Sequence, residues 1–181
     1  MPSSPSQNNA VLWSARGNEV SSSAFSFLFC EMVRYSMHSE GGAARMDDKL
    51  REIGERLGER ILDLVMLRDR KAQREIRLLP MLQFVTTNIW QNVFGHAAEL
   101  LKSNTGENEY FIQDANLLLD KFVNGRTCAS YAAGMVQAAL CCADFPCTAE
   151  AALVDNEGVV LSSVILKFDQ KVMDREASFG S

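Results

Sequence analysis

The sequence predicts an α+β fold in which helices pack on a small antiparallel sheet. Two features in the last third of the chain lead to this prediction. The segment 127–144, TCASYAAGMVQAALCCAD, is uncharged until its final residue, and a helix that is apolar nearly all round is normally buried. Two apolar runs, 147–154 and 159–168, then flank the turn residues DNEG at 155–158. Such a pattern is typical of a β-hairpin.

The first predicted helix begins at the serines of 21–23, which offer an N-cap, and runs to about Met37. Phe27 points about 200° away from Phe25 at helical spacing, so this helix carries apolar groups on two faces. Phe27 is either a scattered surface residue or part of a face that meets a partner. The core stripe predicted for this helix is Phe25, Leu28, Phe29, Met32 and Ser36.

The second predicted helix opens at Asp47 and Asp48, whose charges suit the positive end of a helix. Gly54 and Gly58 lie one turn apart at the edge of its apolar stripe. They indicate either another helix packed very close or glycines that the helix simply tolerates, at about 1 kcal/mol each. The stripe is Leu50, Ile53, Leu57, Ile61 and Leu64, the cleanest amphipathic pattern in the chain.

The middle of the chain predicts a third helix with Pro80 in its first turn and Gly95 as its C-cap. A short helix is expected at 96–102. The pieces 110–112 and 117–123 are expected to be extended or irregular and to form a short hairpin. The predicted order is thus four helical segments, a short hairpin, one buried helix and a longer hairpin.

Size and composition indicate one globular domain in a chain of 181 residues. We expect a tail at 1–18, a single domain at 19–176 and a second tail at 177–181. The net charge of −5 argues against a nucleic-acid binder. The uncharged run 127–143 is shorter than the about 20 residues that cross a bilayer, so it is interpreted as a buried core helix.

No catalytic constellation is visible in the sequence, and no catalytic, cofactor-binding or metal-binding residue is predicted. The motifs G-x-S-x-G and G-x-x-x-x-G-K-[ST] do not occur. The five cysteines are expected to be free, buried, small hydrophobes in a reducing compartment. A thiol-based sensor is the alternative, and it would use Cys128, Cys141, Cys142 and Cys147.

A basic stretch, RDRKAQREIR, occupies 68–77. It is either a solvated connector or a patch that contacts acidic membrane lipids. The residues predicted for such a membrane contact are Arg68, Arg70, Lys71 and Arg74.

Five segments, in this order and spacing, resemble the small-subunit family of TRAPP, the transport protein particle, and most of all its fifth subunit type. They are EVSSSAFSFLFCEMVRY at 19–35, LREIGERLGERILDLVMLRDRKAQREIR at 50–77, FVTTNIWQNVFGHAAELL at 84–101, CASYAAGMVQAAL at 128–140, and the hairpin from FPCTAEAALV to VILKFD. The resemblance covers about 19–176.

The resemblance implies helices packed on a small antiparallel sheet in a non-enzymatic scaffold subunit. Other small TRAPP subunits would be its partners in a hetero-oligomer, which tethers vesicles and promotes nucleotide exchange on a Rab-type GTPase in ER-to-Golgi transport. The implied location is cytoplasmic, peripheral at endoplasmic reticulum and cis-Golgi membranes. The alternative is a small-molecule or acyl-chain binding module of the same fold. A related subunit is acylated on a cysteine after its second helix, whereas this chain has Lys-Ala-Gln at 71–73.

The first two helices are the predicted site of partner contact, because members of the family pair through helical faces. Periodicity alone cannot separate an interface residue from a core residue. The predicted partner-binding residues are Phe25, Phe29, Met32, Leu50, Ile53 and Leu57.

Overall fold

The computed structural model describes residues 20–38, 45–68, 74–104, 106, 108–122, 128–156 and 159–179. Two long helices come first, α1 (Ser22–His38) and α2 (Met46–Arg68). The chain continues with α3 (Leu78–Phe84), a π-helical turn (Val85–Ile89), α4 (Trp90–Phe94), β1 (Glu99–Lys102), β2 (Glu109–Asp114), a 3₁₀ turn (Leu118–Phe122), α5 (Ala129–Cys142), β3 (Cys147–Asn156), β4 (Val159–Phe168) and α6 (Gln170–Ser178).

The strands form one antiparallel sheet in the order β1-β2-β4-β3. The predicted hairpin is confirmed as β3 and β4, which pair from Cys147 opposite Phe168 to Asn156 opposite Val159. The residues at 157–158 lie outside the described part. Helices cover one face of the sheet, and the predicted α+β class is confirmed.

Glycines bring α2 and α5 into backbone contact. A methyl group added at Gly54 would overlap the carbonyl oxygen of Tyr131, and one added at Gly58 would overlap that of Met135. The contact is reciprocal, because a methyl group at Gly134 of α5 would overlap the carbonyl oxygen of Arg51. The interpretation of Gly54 and Gly58 as a close-packing site is therefore confirmed. The predicted burial of α5 is confirmed as well, since it is covered from Ala129 through Val136.

A polar clamp fastens the sheet to these two helices. The Arg51 guanidinium donates to the Ala149 carbonyl oxygen and to Gln137 Oε1, both at 2.5 Å. The same Gln137 oxygen accepts the Ala149 amide at 2.8 Å. One arginine from α2 and one glutamine from α5 thus satisfy both backbone groups of a single β3 residue.

The π-helical turn between α3 and α4 redirects one carbonyl toward the sheet. The Trp90 amide bonds to the Val85 carbonyl, five residues back, which frees the Thr86 carbonyl to accept the Ala98 amide at 3.0 Å. Gly95 then ends the helix with φ +88, as the C-cap prediction requires. The predicted helix at 96–102 is wrong. Residues of that segment form β1, because pairing with β2 outweighs the high helix propensity of Glu-Leu-Leu-Lys.

The second error in the middle of the chain concerns 117–123. The piece expected to be extended or irregular contains a 3₁₀ turn over Leu118–Phe122, and the partner of β2 is β1, so the predicted short hairpin is wrong. The Asp120 carboxylate explains the turn, because it accepts the Cys128 amide at 2.9 Å and the Ser162 hydroxyl at 2.5 Å. The amide belongs to the residue just before α5, and the hydroxyl comes from β4, which is distant in sequence.

The C-terminal helix α6 is a further difference from the predicted order of elements, and its Glu176 completes the start of α3. Arg77 at the N-cap position makes no side-chain capping bond, and Glu176 of α6 accepts the Leu78 amide at 2.6 Å instead. Glu176 also pairs with Arg77 at 3.2 Å. A carboxylate is well suited to the positive end of a helix.

We expect Gly58→Ala to destabilise the chain by about 3 kcal/mol, because its methyl group meets backbone atoms that cannot rotate away. Helix propensity alone predicts a gain of ~1 kcal/mol from the same change. The free energy of unfolding, measured by urea titration, shows whether the steric overlap or the helix propensity dominates. Gly95→Ala is the matched control: it has open space but a positive φ and should cost about 1 kcal/mol. A Gly58→Ala chain as stable as the original would contradict the close contact.

Candidate partner-binding surfaces

The outer face of α1 is an exposed apolar surface. Phe27 is 76% exposed, Leu28 59% and Tyr35 67%. At about 100° per residue they fall within one arc, opposite the stripe that contains the buried Phe29 and Val33. We call these three residues the α1 outer face. The placement of Leu28 in the core stripe is therefore wrong. Phe27 lies on a second, exposed face of the helix, and contact of that face with a partner stays a prediction.

Charge crosses the middle of the α1 outer face. Glu31 and Arg34 form an ion pair at 3.0 Å, with both side chains largely exposed. Together with Tyr35 and His38 they line a shallow depression of about 450 Å³. The surface therefore combines aromatic groups with one cation and one anion, a mixture typical of protein interfaces.

The six residues predicted to bind a partner divide into two groups. Phe29 and Leu50 are completely buried, and Phe29 packs edge-on against Tyr131 with ring centroids 5.7 Å apart. The other four are half-buried and pack against the core from its margin: Phe25, Met32, Ile53 and Leu57. Partner contact stays a prediction for all six. Only the four half-buried residues have side-chain surface that a partner could contact.

An apolar groove lies where the acyl-binding alternative places a tunnel, between α2 and α3. Its apolar lining comes from Leu62 and Met66 of α2 and from Met81 and Phe84 of α3, together with Cys142 of α5. The volume is about 230 Å³, below the roughly 300–1,000 Å³ typical of small-molecule pockets. The groove also reaches the surface beside Arg74 and Glu75, so its lining is partly polar.

The predicted membrane-contact residues are only partly within the described structure. Arg68 ends α2 and is exposed, and Arg74 is exposed beside the groove, whereas 70 and 71 lie outside the described residues. Contact with lipid stays a prediction. Among the described residues, no helix combines the length and apolar character that a membrane crossing requires.

The thiols do not resemble a reactive centre. Cys128 and Cys147 are buried, but Cys30, Cys141 and Cys142 are exposed. The expectation of five buried thiols is wrong for these three, because the last turn of α5 and part of α1 face solvent. Burial, together with nearby Asp120 and other acidic groups, raises the pKa of Cys128 to about 12.

Two further thiols are also harder to ionise than an ordinary cysteine. Burial raises the pKa of Cys147 and of Cys142, and for Cys142 the nearby Glu59 contributes as well. A sensor needs a thiol with a lowered pKa, and three of the four candidates have a raised one. In the described part of the chain, no group of three or more His, Cys, Asp or Glu side chains could hold a metal ion.

His96 and its neighbours serve the fold. Asp114 is buried, and its carboxylate accepts Trp90 Nε1 at 2.9 Å and the Asn116 amide at 2.8 Å. His96 Nε2 lies 2.8 Å from the same carboxylate. This cluster ties the end of β2 to α4, and no serine, threonine or cysteine nucleophile takes part in the bonds described for it.

Comparison with known proteins identifies the family. The family model described as "Transport protein particle (TRAPP) component" matches residues 25–166. Trafficking protein particle complex subunit 5 of Dictyostelium discoideum is 33% identical, over 88% of this chain and 90% of that protein. Subunit 5 of Homo sapiens is 30% identical, over 87% of this chain and 85% of that protein. Subunit 31 of Saccharomyces cerevisiae is 32% identical, over 58% of this chain and 38% of that protein.

A solved structure supports the fold independently. The trafficking protein particle complex subunit 3 from Naegleria fowleri, covalently bound to palmitic acid, superposes with a TM-score of 0.69. The match covers 82% of this chain and 95% of that one, at 16% identity, so it bears on the fold alone. Sequence and fold agree, and this chain belongs to the TRAPP component family.

Proposed function

We propose that this chain is a non-enzymatic scaffold subunit of a vesicle-tethering complex, which binds other small TRAPP subunits through the α1 outer face. The relatives are named as subunits of a complex, which supports a role inside an assembly. The observation that carries the proposal is the exposure of Phe27, Leu28 and Tyr35 on one helical arc. Several exposed apolar and aromatic side chains on one face of a domain commonly mark an interaction site.

The family resemblance also implies a GTPase, a transport step and a cellular location. The assembled complex would promote nucleotide exchange on a Rab-type GTPase in ER-to-Golgi transport, at endoplasmic reticulum and cis-Golgi membranes. The half-buried margin formed by Phe25, Met32, Ile53 and Leu57 would extend the contact from α1 onto α2. The fully buried Phe29 and Leu50 would support that contact from beneath.

A second candidate is an acyl-chain or small-molecule binding module. The observation in its favour is the apolar groove lined by Leu62, Met66, Met81 and Phe84. Its volume of about 230 Å³ and its open, partly charged rim favour the scaffold role, because a long acyl chain needs an enclosed apolar tunnel. The chain also has no cysteine at 71–73.

Pairing is tested by co-expression with another small TRAPP subunit, followed by size-exclusion chromatography with light scattering. Phe27→Glu should leave the circular dichroism spectrum unchanged and weaken pairing at least about tenfold, because it puts a charge into an apolar contact. Phe29→Glu should unfold the chain, since Phe29 has no exposed surface.

Leu67→Glu is the matched control for Phe27→Glu, because Leu67 is 81% exposed on a different helix. It should pair like the original chain. Equal pairing by the Phe27→Glu variant would remove the α1 outer face from the interface. Failure of the unmodified chain to bind any small subunit would count against the scaffold role as a whole.

Nucleotide exchange is expected to depend on the assembly. The chain alone should leave the release of a fluorescent guanine nucleotide from a Rab-type GTPase at its spontaneous rate. The reconstituted core should accelerate that release, and a core that carries the Phe27→Glu chain should contain less of this subunit and be slower. Acceleration by the isolated chain would disprove the non-enzymatic assignment.

Native mass spectrometry of the purified chain distinguishes the scaffold from the acyl-binding module. We expect the mass calculated from the sequence, because the groove between α2 and α3 is small and open. Added mass that disappears on denaturation would indicate a bound ligand. Added mass that survives denaturation and is released by hydroxylamine would indicate a thioester, and either result would favour the second candidate. Met66→Trp, at a half-buried position of the groove lining, is the matched variant that should abolish the added mass.

A further inference from the structure

The outer edge of β3 is covered along only half of its length. The Ala149 amide and carbonyl both face away from β4, because they bond to Gln137 and Arg51. The Cys147 carbonyl also faces outward, toward Cys141 Sγ at 3.9 Å. In an antiparallel strand, alternate residues direct both backbone groups to the same side. The first two outward positions of β3 are therefore occupied by helix side chains.

The next two outward positions are Ala151 and Leu153. Their places opposite Val164 and Ser162 continue the register of Ala149 opposite Leu166 without a bulge. The bonds of β4 agree with this alternation. Phe168 lies opposite Cys147, and both of its backbone groups bond to Asn108 on the β2 side, so this pair makes no backbone bond between β4 and β3. No side chain in the described part of the chain bonds to the outward backbone groups of Ala151 and Leu153.

The open half of this edge lacks the features by which proteins usually protect an edge strand. β3 is ten residues long and contains neither proline nor lysine, and no bulge interrupts its register. Leu153 is 56% exposed and Ala151 is exposed beside it. The edge thus presents two free backbone positions and an apolar side chain. The other sheet edge, β1, is four residues long.

Negative charge borders the open half of the edge at Ala151. A depression of about 340 Å³ beside Ala151 is lined by Asp47 and Asp48 of α2 and by Glu150 of β3. Arg51 also borders it, but its guanidinium is committed to Gln137, the Ala149 carbonyl and Glu55. Asp48 and Glu150 form no ion pair within the described residues. The uncompensated charge next to the edge is therefore acidic.

We propose that the outer edge of β3 at Ala151 and Leu153 binds an extended, lysine- or arginine-bearing segment of a partner protein as a fifth strand. Backbone bonds to the two open positions would provide affinity. Asp48 and Glu150 would select basic side chains, because opposite charges on neighbouring strands attract and like charges repel. The same repulsion disfavours a second copy of this chain, whose own edge carries Glu150. The proposal does not depend on pairing through the α1 outer face.

The test uses the full chain and a synthetic strand peptide of about six residues in which lysine alternates with valine or threonine. Backbone amide exchange, followed by NMR, should show saturable protection at Ala151 and Leu153. A peptide with glutamate in place of lysine should bind at least about tenfold more weakly. So should the lysine peptide with N-methylated backbone amides, since it has lost its hydrogen-bond donors.

Leu153→Pro removes the outward amide donor, and an edge position is where a strand tolerates proline. This variant should keep the β3–β4 pairing and lose the peptide. Leu153→Thr, which retains the amide, is the matched control and should keep most of the binding. Changing Asp48→Asn together with Glu150→Gln should weaken the lysine peptide several-fold and reduce its salt dependence.

Three outcomes would overturn the proposal. The first is no saturable protection of the two amides by the lysine peptide. The second is equal binding of the N-methylated or glutamate peptide to the unmodified chain, a comparison that stands even if Leu153→Pro fails to fold. The third is protection of the same amides by self-association, detected by light scattering of the chain alone and lost in Leu153→Pro, which would assign the edge to a second copy.

Discussion

The backbone contact between α2 and α5 is the constraint on which the rest of the structure depends. Carbonyl oxygens of each helix occupy the space that a methyl group would fill at the glycines of the other, Gly54 and Gly58 on one side and Gly134 on the other. Interior glycines weaken a helix by about 1 kcal/mol each. Their presence at three matched positions indicates that close approach outweighs this cost, through dispersion contacts between the two helices where they pack.

Close approach of the helices also determines how the sheet is held. With α2 against α5, Arg51 and Gln137 come within reach of the same β3 residue, and together they satisfy both of its backbone groups. One end of the edge strand is therefore covered by the helix pair that buries the core. The bonds from Arg51 and Gln137 end at Ala149, so the outward backbone groups of Ala151 and Leu153 remain open. The place where α2 and α5 meet therefore determines how much of the sheet edge is covered.

Long periodic segments could be predicted from the sequence, whereas short ones could not. The stripe of α2, the uncharged run of α5 and the paired apolar runs of β3 and β4 each carry enough residues to specify their own structure. The segment 96–102 contains Ala, Leu, Glu and Lys, all good helix formers, yet it forms β1 because the edge of β2 offers backbone pairing. Nothing local in the sequence encodes that partner.

The sequence also does not predict which surfaces of the helices are exposed, for a different reason. Periodicity separates the two faces of α1 but does not say which of them the fold covers, and it places the exposed Leu28 in the core stripe. Among the six predicted partner residues, Phe29 is buried against Tyr131, so its burial depends on a helix about a hundred residues away in sequence. Exposure is a property of the whole fold, and the sequence of one helix does not determine it.

The two open surfaces would recognise partners by different physics. The α1 outer face presents side chains, so its selectivity depends on shape and on the Glu31–Arg34 pair. The β3 edge presents backbone groups, which any extended chain can match, so its selectivity depends on the acidic residues around it. A side-chain surface can discriminate between folded subunits of similar shape, whereas a backbone edge can accept many segments of suitable charge. A scaffold that must hold a fixed neighbour and also an extended segment benefits from keeping these two modes on separate elements.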